Sequence, residues 1–171
     1  RVAEHAVSVD PDAVVVDQDE IPGTGRAVQC ALAALDAKAH AQALLHGLPD
    51  GEEGRGLGDG LEGPVVVTAG DTPLLDGGTL AQLLAAHVVD GNAVTMLTTE
   101  LEDATGYGRV VRDGSGDVQR IVEHKDASAD ERAIREVNAS IYVFDAAVLR
   151  RGLGTLGRDN AQGEVYPTDV V

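Results

Sequence analysis

The chain has 171 residues, 43% of them hydrophobic, which is enough for one globular domain with a substantial core. It contains one Phe, three Tyr and no Trp, so the core must be aliphatic and aromatic platforms for stacking nucleic-acid bases are scarce. The net charge of -16 disfavours a nucleic-acid partner, because phosphate backbones are bound by clustered cations and the chain has only 13 Lys and Arg.

Cysteine content and hydropathy restrict the kinds of site and the cellular location that the chain can have. Cys30 is the only cysteine, so an internal disulfide is impossible, a Cys-ligated zinc site is disfavoured and a cytoplasmic location is predicted. No apolar run approaches the roughly 18 residues that a transmembrane helix requires, so no membrane contact is predicted.

In the N-terminal half, short β-branched runs alternate with a longer helical pattern. Residues 13–16 predict a first strand, and apolar residues at helical spacing predict a helix from just after Gly25 into the low forties. Residues 47–63 are Gly-rich and acidic without apolar periodicity, which is typical of a flexible surface insertion. Residues 64–69 then predict a short buried strand of a parallel sheet.

In the C-terminal half, the same alternation continues and a hairpin is added. Leu80, Leu83 and Leu84 mark a helix, for which Thr79 is the predicted N-cap. The remaining predicted elements are a strand at 93–97, a hairpin of 109–112 with 118–123, a strand at 137–144 and a helix at 146–156. This order indicates an α/β domain with a mostly parallel sheet and an antiparallel insert.

Asp71 is the leading candidate for chemistry. It follows the run Val65-Val66-Val67 and Gly70, and therefore stands where a strand leaves the sheet. Open α/β folds bind ligands at the carboxyl ends of their strands, and a carboxylate there can hold a divalent cation. The alternative is that Asp71 only caps a turn with Thr72 and Pro73.

Several short blocks occur in a specific combination and order. They are Gln18, Gly23-Thr24-Gly25, Gly70-Asp71, Thr105-Gly106-Tyr107-Gly108-Arg109, Glu123-His124-Lys125-Asp126 and Asn160-Ala161-Gln162-Gly163-Glu164. Together they resemble the uridylyltransferase domain of the bifunctional N-acetylglucosamine-1-phosphate uridylyltransferase/glucosamine-1-phosphate acetyltransferase family. The resemblance runs from about residue 15 to 171 without the acidic insertion, and the composition is similar to that of actinobacterial members.

The resemblance implies a nucleotide-diphospho-sugar transferase fold, which is a Rossmann-like α/β fold with a sugar-binding insert. It further implies an enzyme that forms UDP-N-acetylglucosamine and pyrophosphate from UTP and N-acetylglucosamine 1-phosphate, for cell-wall precursor synthesis. The parent protein is expected to be a homotrimer by the same resemblance.

The resemblance also assigns roles to particular residues. Gln18, Gly23 and Thr24 would bind the uridine, which agrees with the ability of an amide to pair with uracil and of glycine to let a backbone approach the base. The alternative for Gly23 and Gly25 is a plain turn at the start of a helix.

The sugar and the metal are assigned to other positions. Gly108, Glu123 and Asn138 would form the sugar pocket, with Glu164 and Thr168 lining it. Asp71 would coordinate Mg²⁺ during in-line attack on the α-phosphorus, without a protein nucleophile. The alternatives are a turn for Gly108 and solvated strand-edge positions for Glu123 and Asn138.

The chain also departs from the family pattern at both ends. The family's first strand, with its Gly-rich phosphate loop and downstream Lys, is absent, as is the C-terminal left-handed β-helix that carries acetyl transfer. Residues 1–171 are therefore interpreted as a partial nucleotidyltransferase domain, incomplete at the N-terminus, and are expected to be inactive alone. A second Mg²⁺ ligand, an Asn in the family, would lie beyond Val171.

Three other functions are consistent with the sequence. The first is a different sugar-nucleotide or cofactor nucleotidyltransferase, since a strand followed by Gly-Asp is common to the fold. The second is a non-catalytic module that binds nucleotide sugars. The third is an interaction protein, and the acidic insertion is the only sequence feature that favours it.

Overall fold

A computed structural model of the chain describes residues 2–45, 60–72, 74–155 and 168. Its elements are α1 (Val2–Val9), α2 (Thr24–Leu45), β1 (Pro64–Thr68), α3 (Gly77–Asp90), β2 (Val94–Glu100), β3 (Arg109–Arg112), β4 (Val118–Val122), α4 (Ala129–Arg132), β5 (Glu136–Asp145) and α5 (Ala146–Thr155). None of the helices in these described ranges is both long and apolar enough to cross a bilayer.

The central strand of the five-stranded sheet is β5. It pairs with β2 from Glu136 to Phe144 on one edge, and with β1 and β3 at successive positions on the other. Every pairing among the described strands is antiparallel. The α/β class and the antiparallel insert are confirmed, but the described strands do not form a mostly parallel sheet. The reason is that β1 and β2 run parallel to one another with β5 inserted between them in the opposite direction.

The two faces of β5 support two apolar clusters, because successive side chains of a strand point to opposite faces. Tyr142 and Phe144 pack with α2 and α5 through Leu32, Leu149 and Leu153. On the other face, Ile141 and Val143 pack against Leu83 of α3. The sheet therefore lies between helices on both sides, and the carboxyl end of β1 opens beside the start of α2.

The three predicted helices, which correspond to α2, α3 and α5, and the predicted hairpin agree closely with the structure, with one change at a helix start. Helix α4 was not predicted. The N-cap of α3 is Asp76, not Thr79, because the Asp76 carboxylate accepts the Thr79 N–H at 2.9 Å. In the hairpin, β3 and β4 are joined at Asp113, whose N–H donates to the Asp117 carbonyl at 2.9 Å.

The predicted strand at 13–16 is wrong. These residues form no strand, and Val14, Val15 and Val16 are exposed by 38%, 49% and 39%. An extended run becomes a strand only when a neighbour pairs with its backbone groups, and no described strand lies beside this one. Helix α1, which was not predicted, buries none of its residues. Most of the predicted insertion at 47–63 lies outside the described residues, which resume at residue 60.

Candidate functional site

The carboxyl end of β1 turns sharply and presents Asp71 at the surface. The Thr72 hydroxyl donates to the Ala69 carbonyl at 3.1 Å, and the Leu75 N–H donates to the Thr72 carbonyl at 3.1 Å. Asp71 is exposed, and none of the hydrogen bonds among the described residues uses its carboxylate. The turn is therefore held without Asp71, which disfavours the capping role, although Pro73 lies outside the described residues.

A cavity of about 290 Å³ lies between the start of α2, the end of β1 and β5. Its walls are formed by Thr24, Ala27, Val28, Val67, Thr68, Ala69, Ser140 and Tyr142. Thr24 and Ala69 thus face one space, and Asp71 follows Ala69 by two positions. The cavity brings the first turn of α2 to the end of the strand that leads to the candidate metal ligand.

The loop before α2 is shaped by Gln18 and Gly23. The Gln18 amide nitrogen donates to the carbonyls of Ile21 at 2.6 Å and Gly23 at 3.1 Å. Gly23 has a φ of 112°, which residues with a Cβ rarely adopt, and its carbonyl accepts the Arg26 N–H at 3.1 Å. Gln18 therefore fixes the turn that starts the helix, while its amide oxygen takes part in none of the described hydrogen bonds.

Gly108, Glu123 and Asn138 lie next to one another although they come from different segments. The Asn138 N–H donates to the Gly108 carbonyl at 3.0 Å. A Cβ on Gly108 would lie 3.3 Å from the nearer Glu123 carboxylate oxygen and 3.1 Å from Ile121, so glycine allows this close approach. The buried Thr168 hydroxyl donates to the same Glu123 oxygen at 3.3 Å.

The Asn138 amide is held on both sides inside β5. Its nitrogen donates to the Tyr142 hydroxyl, and its oxygen accepts the Ser140 N–H at 2.9 Å. Burial raises the pKa of Tyr142 to about 12, so the phenol remains protonated at every physiological pH. Tyr142 also lines the cavity beside Thr24, so it contacts both that cavity and Asn138.

The predicted site residues form two groups. Thr24 and the end of β1 line the cavity, and Gln18 shapes the loop before α2. Gly108, Glu123 and Asn138 form a second group, which Asn138 connects to the cavity wall through Tyr142. Glu164 lies outside the described residues. Sequence reasoning missed Tyr142, Ser140 and Arg109. Tyr142 and Ser140 reach Asn138 through the left-handed backbone at Ser140 within β5, and Arg109 meets His124 where β3 and β4 lie side by side.

One carboxylate is available for a metal at the end of β1. Among the described residues, no three His, Cys, Asp or Glu side chains gather in a way that could hold a metal ion. A cation at Asp71 would need ligands besides the described side chains. Mg²⁺ usually binds through one or two carboxylates together with substrate phosphates and water.

Residues 14–170 match the nucleotidyl transferase family. The chain belongs to that family. It is 55% identical over 171 residues to the bifunctional protein GlmU of Paenarthrobacter aurescens, covering 100% of this chain and 30% of that protein. It is 52% identical to GlmU of Bifidobacterium animalis subsp. lactis, covering 100% of this chain and 33% of that protein. This nucleotidyl transferase chain thus spans about a third of the length of the curated relatives that it matches.

A solved structure supports the fold of this nucleotidyl transferase. A crystal structure of UDP-glucose pyrophosphorylase complexed with UDP-glucose superposes with a TM-score of 0.55 at 13% sequence identity. The match covers 99% of this chain and 58% of that one. At this identity the likeness shows the α/β nucleotidyltransferase fold and no substrate.

Proposed function

We propose that this chain carries the uridylyltransferase part of a bifunctional enzyme. It transfers a uridylyl group from UTP to N-acetylglucosamine 1-phosphate, giving UDP-N-acetylglucosamine and pyrophosphate for cell-wall precursors. The observation that carries the proposal is the position of Tyr142, which lines the cavity beside Thr24 and also binds Asn138. Identities of 55% and 56% to proteins named bifunctional GlmU support it.

The nucleotide half of the cleft is assigned to the start of α2. The first backbone N–H groups of a helix have no partner within the helix, and they attract acceptor atoms and negative charge. Gly23 and Thr24 would offer such groups to the uridine, and the Gln18 amide oxygen would accept a hydrogen bond from the uracil N–H. The 290 Å³ cavity beside Thr24 provides the space.

The sugar half is assigned to Gly108, Glu123 and Asn138. The Glu123 carboxylate would accept hydrogen bonds from sugar hydroxyls, and the second N–H of the Asn138 amide would donate one. Gly108 would leave room for the acetamido group beside Glu123, because a Cβ there would lie only 3.3 Å from the Glu123 carboxylate. Thr168 orients the Glu123 carboxylate by donating to it at 3.3 Å.

The metal is proposed to be Mg²⁺ held by Asp71. An exposed carboxylate with no described hydrogen bond fits an ion that takes one or two protein carboxylates and completes its shell with phosphate oxygens and water. When bound, Mg²⁺ would neutralise charge on the phosphates during transfer. Asp71 would hold the ion and would form no covalent bond to the phosphorus.

The parent protein is proposed to act in the cytoplasm and to assemble as a homotrimer. Size-exclusion chromatography with light scattering on the full-length gene product would give three times the chain mass. A monomeric mass at micromolar concentration would contradict the assembly without affecting the proposed reaction.

Turnover by the full-length gene product tests the proposed function. We expect UDP-N-acetylglucosamine from UTP and N-acetylglucosamine 1-phosphate, with CTP, GTP and glucose 1-phosphate as poor substitutes. Preference for GTP or CTP would reject the uridine assignment, and preference for glucose 1-phosphate would reject the sugar assignment. Absence of turnover with every combination of nucleotide and sugar 1-phosphate would reject the proposed enzymatic function.

The change Asp71→Asn tests the metal role. Because Asp71 is exposed and makes no described hydrogen bond, the variant should melt at the wild-type temperature. Loss of a magnesium-binding charge should lower kcat by about 100-fold or more. Asp90→Asn, at another exposed carboxylate, is the matched control and should keep full activity. Wild-type kcat in Asp71→Asn would exclude the metal role.

A further inference from the structure

Arg109 is a fully buried cation next to the proposed sugar pocket. It is 2% exposed at the start of β3, and a guanidinium stays charged at any physiological pH. Among the described residues, no carboxylate lies within ion-pair distance of it, and its Nε is buried without a hydrogen-bond partner. Burying an unpaired charge is unfavourable by several kcal/mol, so a packing role alone is a poor explanation for an arginine here.

The other two nitrogens of Arg109 reach two separate loops. One donates to the Tyr107 carbonyl, and the other lies 3.3 Å from Nδ1 of His124. Guanidinium nitrogens only donate, so Nδ1 must be the acceptor in this contact. His124 is then neutral, with its proton on Nε2.

These two contacts lie directly beside the proposed sugar ligands. Tyr107 precedes Gly108, and His124 follows Glu123. The Glu123 carbonyl accepts the N–H groups of Asp126 and Ala127 at 3.0 Å each, which closes a tight turn around His124. Arg109 therefore ties the loop that carries Gly108 to the turn that carries Glu123.

We propose that Arg109 and neutral His124 form a positioning pair that holds Gly108 and Glu123 at the separation needed to bind the sugar 1-phosphate. The proposal rests on the proposed function, which assigns the sugar to these two residues. Neither member of the pair touches the reacting atoms.

The turn that carries His124 has a second anchor. Nε of Arg132 in α4 donates to the His124 backbone carbonyl at 3.3 Å. The backbone of the turn is therefore held from α4, while Arg109 contacts the His124 ring from β3.

The pair His124→Asn and His124→Ala tests the proposal in the full-length gene product. An Asn oxygen can replace Nδ1 as an acceptor, whereas Ala supplies no acceptor. His124→Ala should raise KM for N-acetylglucosamine 1-phosphate by about tenfold, because the contact with Arg109 is lost. His124→Asn should keep KM within about twofold of the wild-type value.

Three further measurements test whether the pair acts specifically on sugar binding. KM for UTP and kcat at saturating sugar phosphate should change less than about threefold, since the pair acts on sugar binding. Arg109→Lys should raise the sugar KM at pH 8, because an ammonium cannot reach both loops at once. His40→Ala, at an exposed position of α2, is the control and should match the wild type.

The outcomes separate this inference from the proposed function. Turnover by the wild type together with an unchanged sugar KM in His124→Ala would overturn the positioning pair and leave the reaction standing. Equal losses in His124→Asn and His124→Ala would also overturn it, because the ring and not the acceptor would then matter. Absence of wild-type turnover would reject the proposed function and the pair with it.

Discussion

Ser140 has a backbone φ of 58°, in the left-handed region where a Cβ is unfavourable. It is the only residue other than glycine with a positive φ in the part of the chain that the structure describes. This conformation turns the Ser140 N–H back to the Asn138 side chain, which accepts it at 2.9 Å. The strained backbone of Ser140 therefore orients the side-chain amide of Asn138, a proposed sugar ligand.

The change Ser140→Gly should stabilise the protein. Removing the Cβ relieves about 1–2 kcal/mol of left-handed strain, and part of that gain is lost to the greater freedom of glycine in the unfolded chain. We expect the free energy of unfolding to rise by about 0.5–1 kcal/mol in urea denaturation. Sugar binding should persist, because the backbone N–H remains.

Ser140→Ala is the matched control for this prediction. It keeps the Cβ and the strained backbone while it removes the hydroxyl, so it should not share the gain in stability. Equal stabilisation by both variants would show that the hydroxyl, and not the backbone, was the source of the strain.

At the scale of elements, α2 and α5 are joined by an ion pair. Arg150 donates to both carboxylate oxygens of Asp36, at 2.7 and 2.9 Å. Asp36 also accepts the Leu61 N–H at 2.8 Å, and Arg150 donates to the Leu61 carbonyl. The pair therefore fastens two helices and the segment before β1, and its hydrogen bond from Arg150 is the main cause of the lowered pKa of Asp36.

The stability that Asp36 contributes should depend on pH in a defined direction. A carboxyl with a lowered pKa stabilises the fold above its unfolded value of about 3.9 and loses that contribution as pH falls through the lower folded value. At pH 7, Asp36→Asn should reduce the free energy of unfolding by about 1–2 kcal/mol, as expected for a partly exposed charged hydrogen bond.

The loss of unfolding free energy in Asp36→Asn should shrink progressively below pH 4, as measured by urea denaturation at each pH. Asp12→Asn is the control, because the Asp12 carboxylate is exposed and makes no described hydrogen bond. It should leave the free energy of unfolding unchanged at both ends of the pH range. A deficit in Asp36→Asn that stayed constant from pH 7 to pH 3 would mean that the charge of Asp36 does not matter.

At the scale of the whole molecule, β5 organises the structure. It has strand neighbours on both edges, and its side chains enter both apolar clusters. By contrast, β4 pairs only with β3 in the described sheet, and α1 buries none of its residues. Stability should therefore be distributed very unevenly across the chain.

Amide hydrogen exchange followed by mass spectrometry should show this distribution. Peptides from β5 should exchange at least about 100-fold more slowly than those from α1, because opening β5 breaks two ladders and both clusters at once. Peptides from β4 should be intermediate. Exchange in α1 as slow as that in β5 would contradict a molecule built around β5.

The sequence by itself determined the local elements and the chemistry available to them. Helical spacing in α2, the turn residues between β3 and β4, and alternation in β5 each have a physical cause within a few residues. Spaced blocks such as Gly70-Asp71 and Glu123-His124 also identified the family, which the match over residues 14–170 confirms. Roles for Asp71, Gln18 and Glu123 remain predictions.

Only the tertiary structure decided how these elements pair and which side chains meet. Residues 13–16 have strand composition but no neighbour, and β1 and β2 are separated by β5, because pairing depends on distant backbone and not on local preference. The same holds for the site. The link from Asn138 to Tyr142 depends on the left-handed backbone of Ser140 between them, and the link from Arg109 to His124 forms only where β3 and β4 lie side by side, so no spacing in the sequence could reveal either.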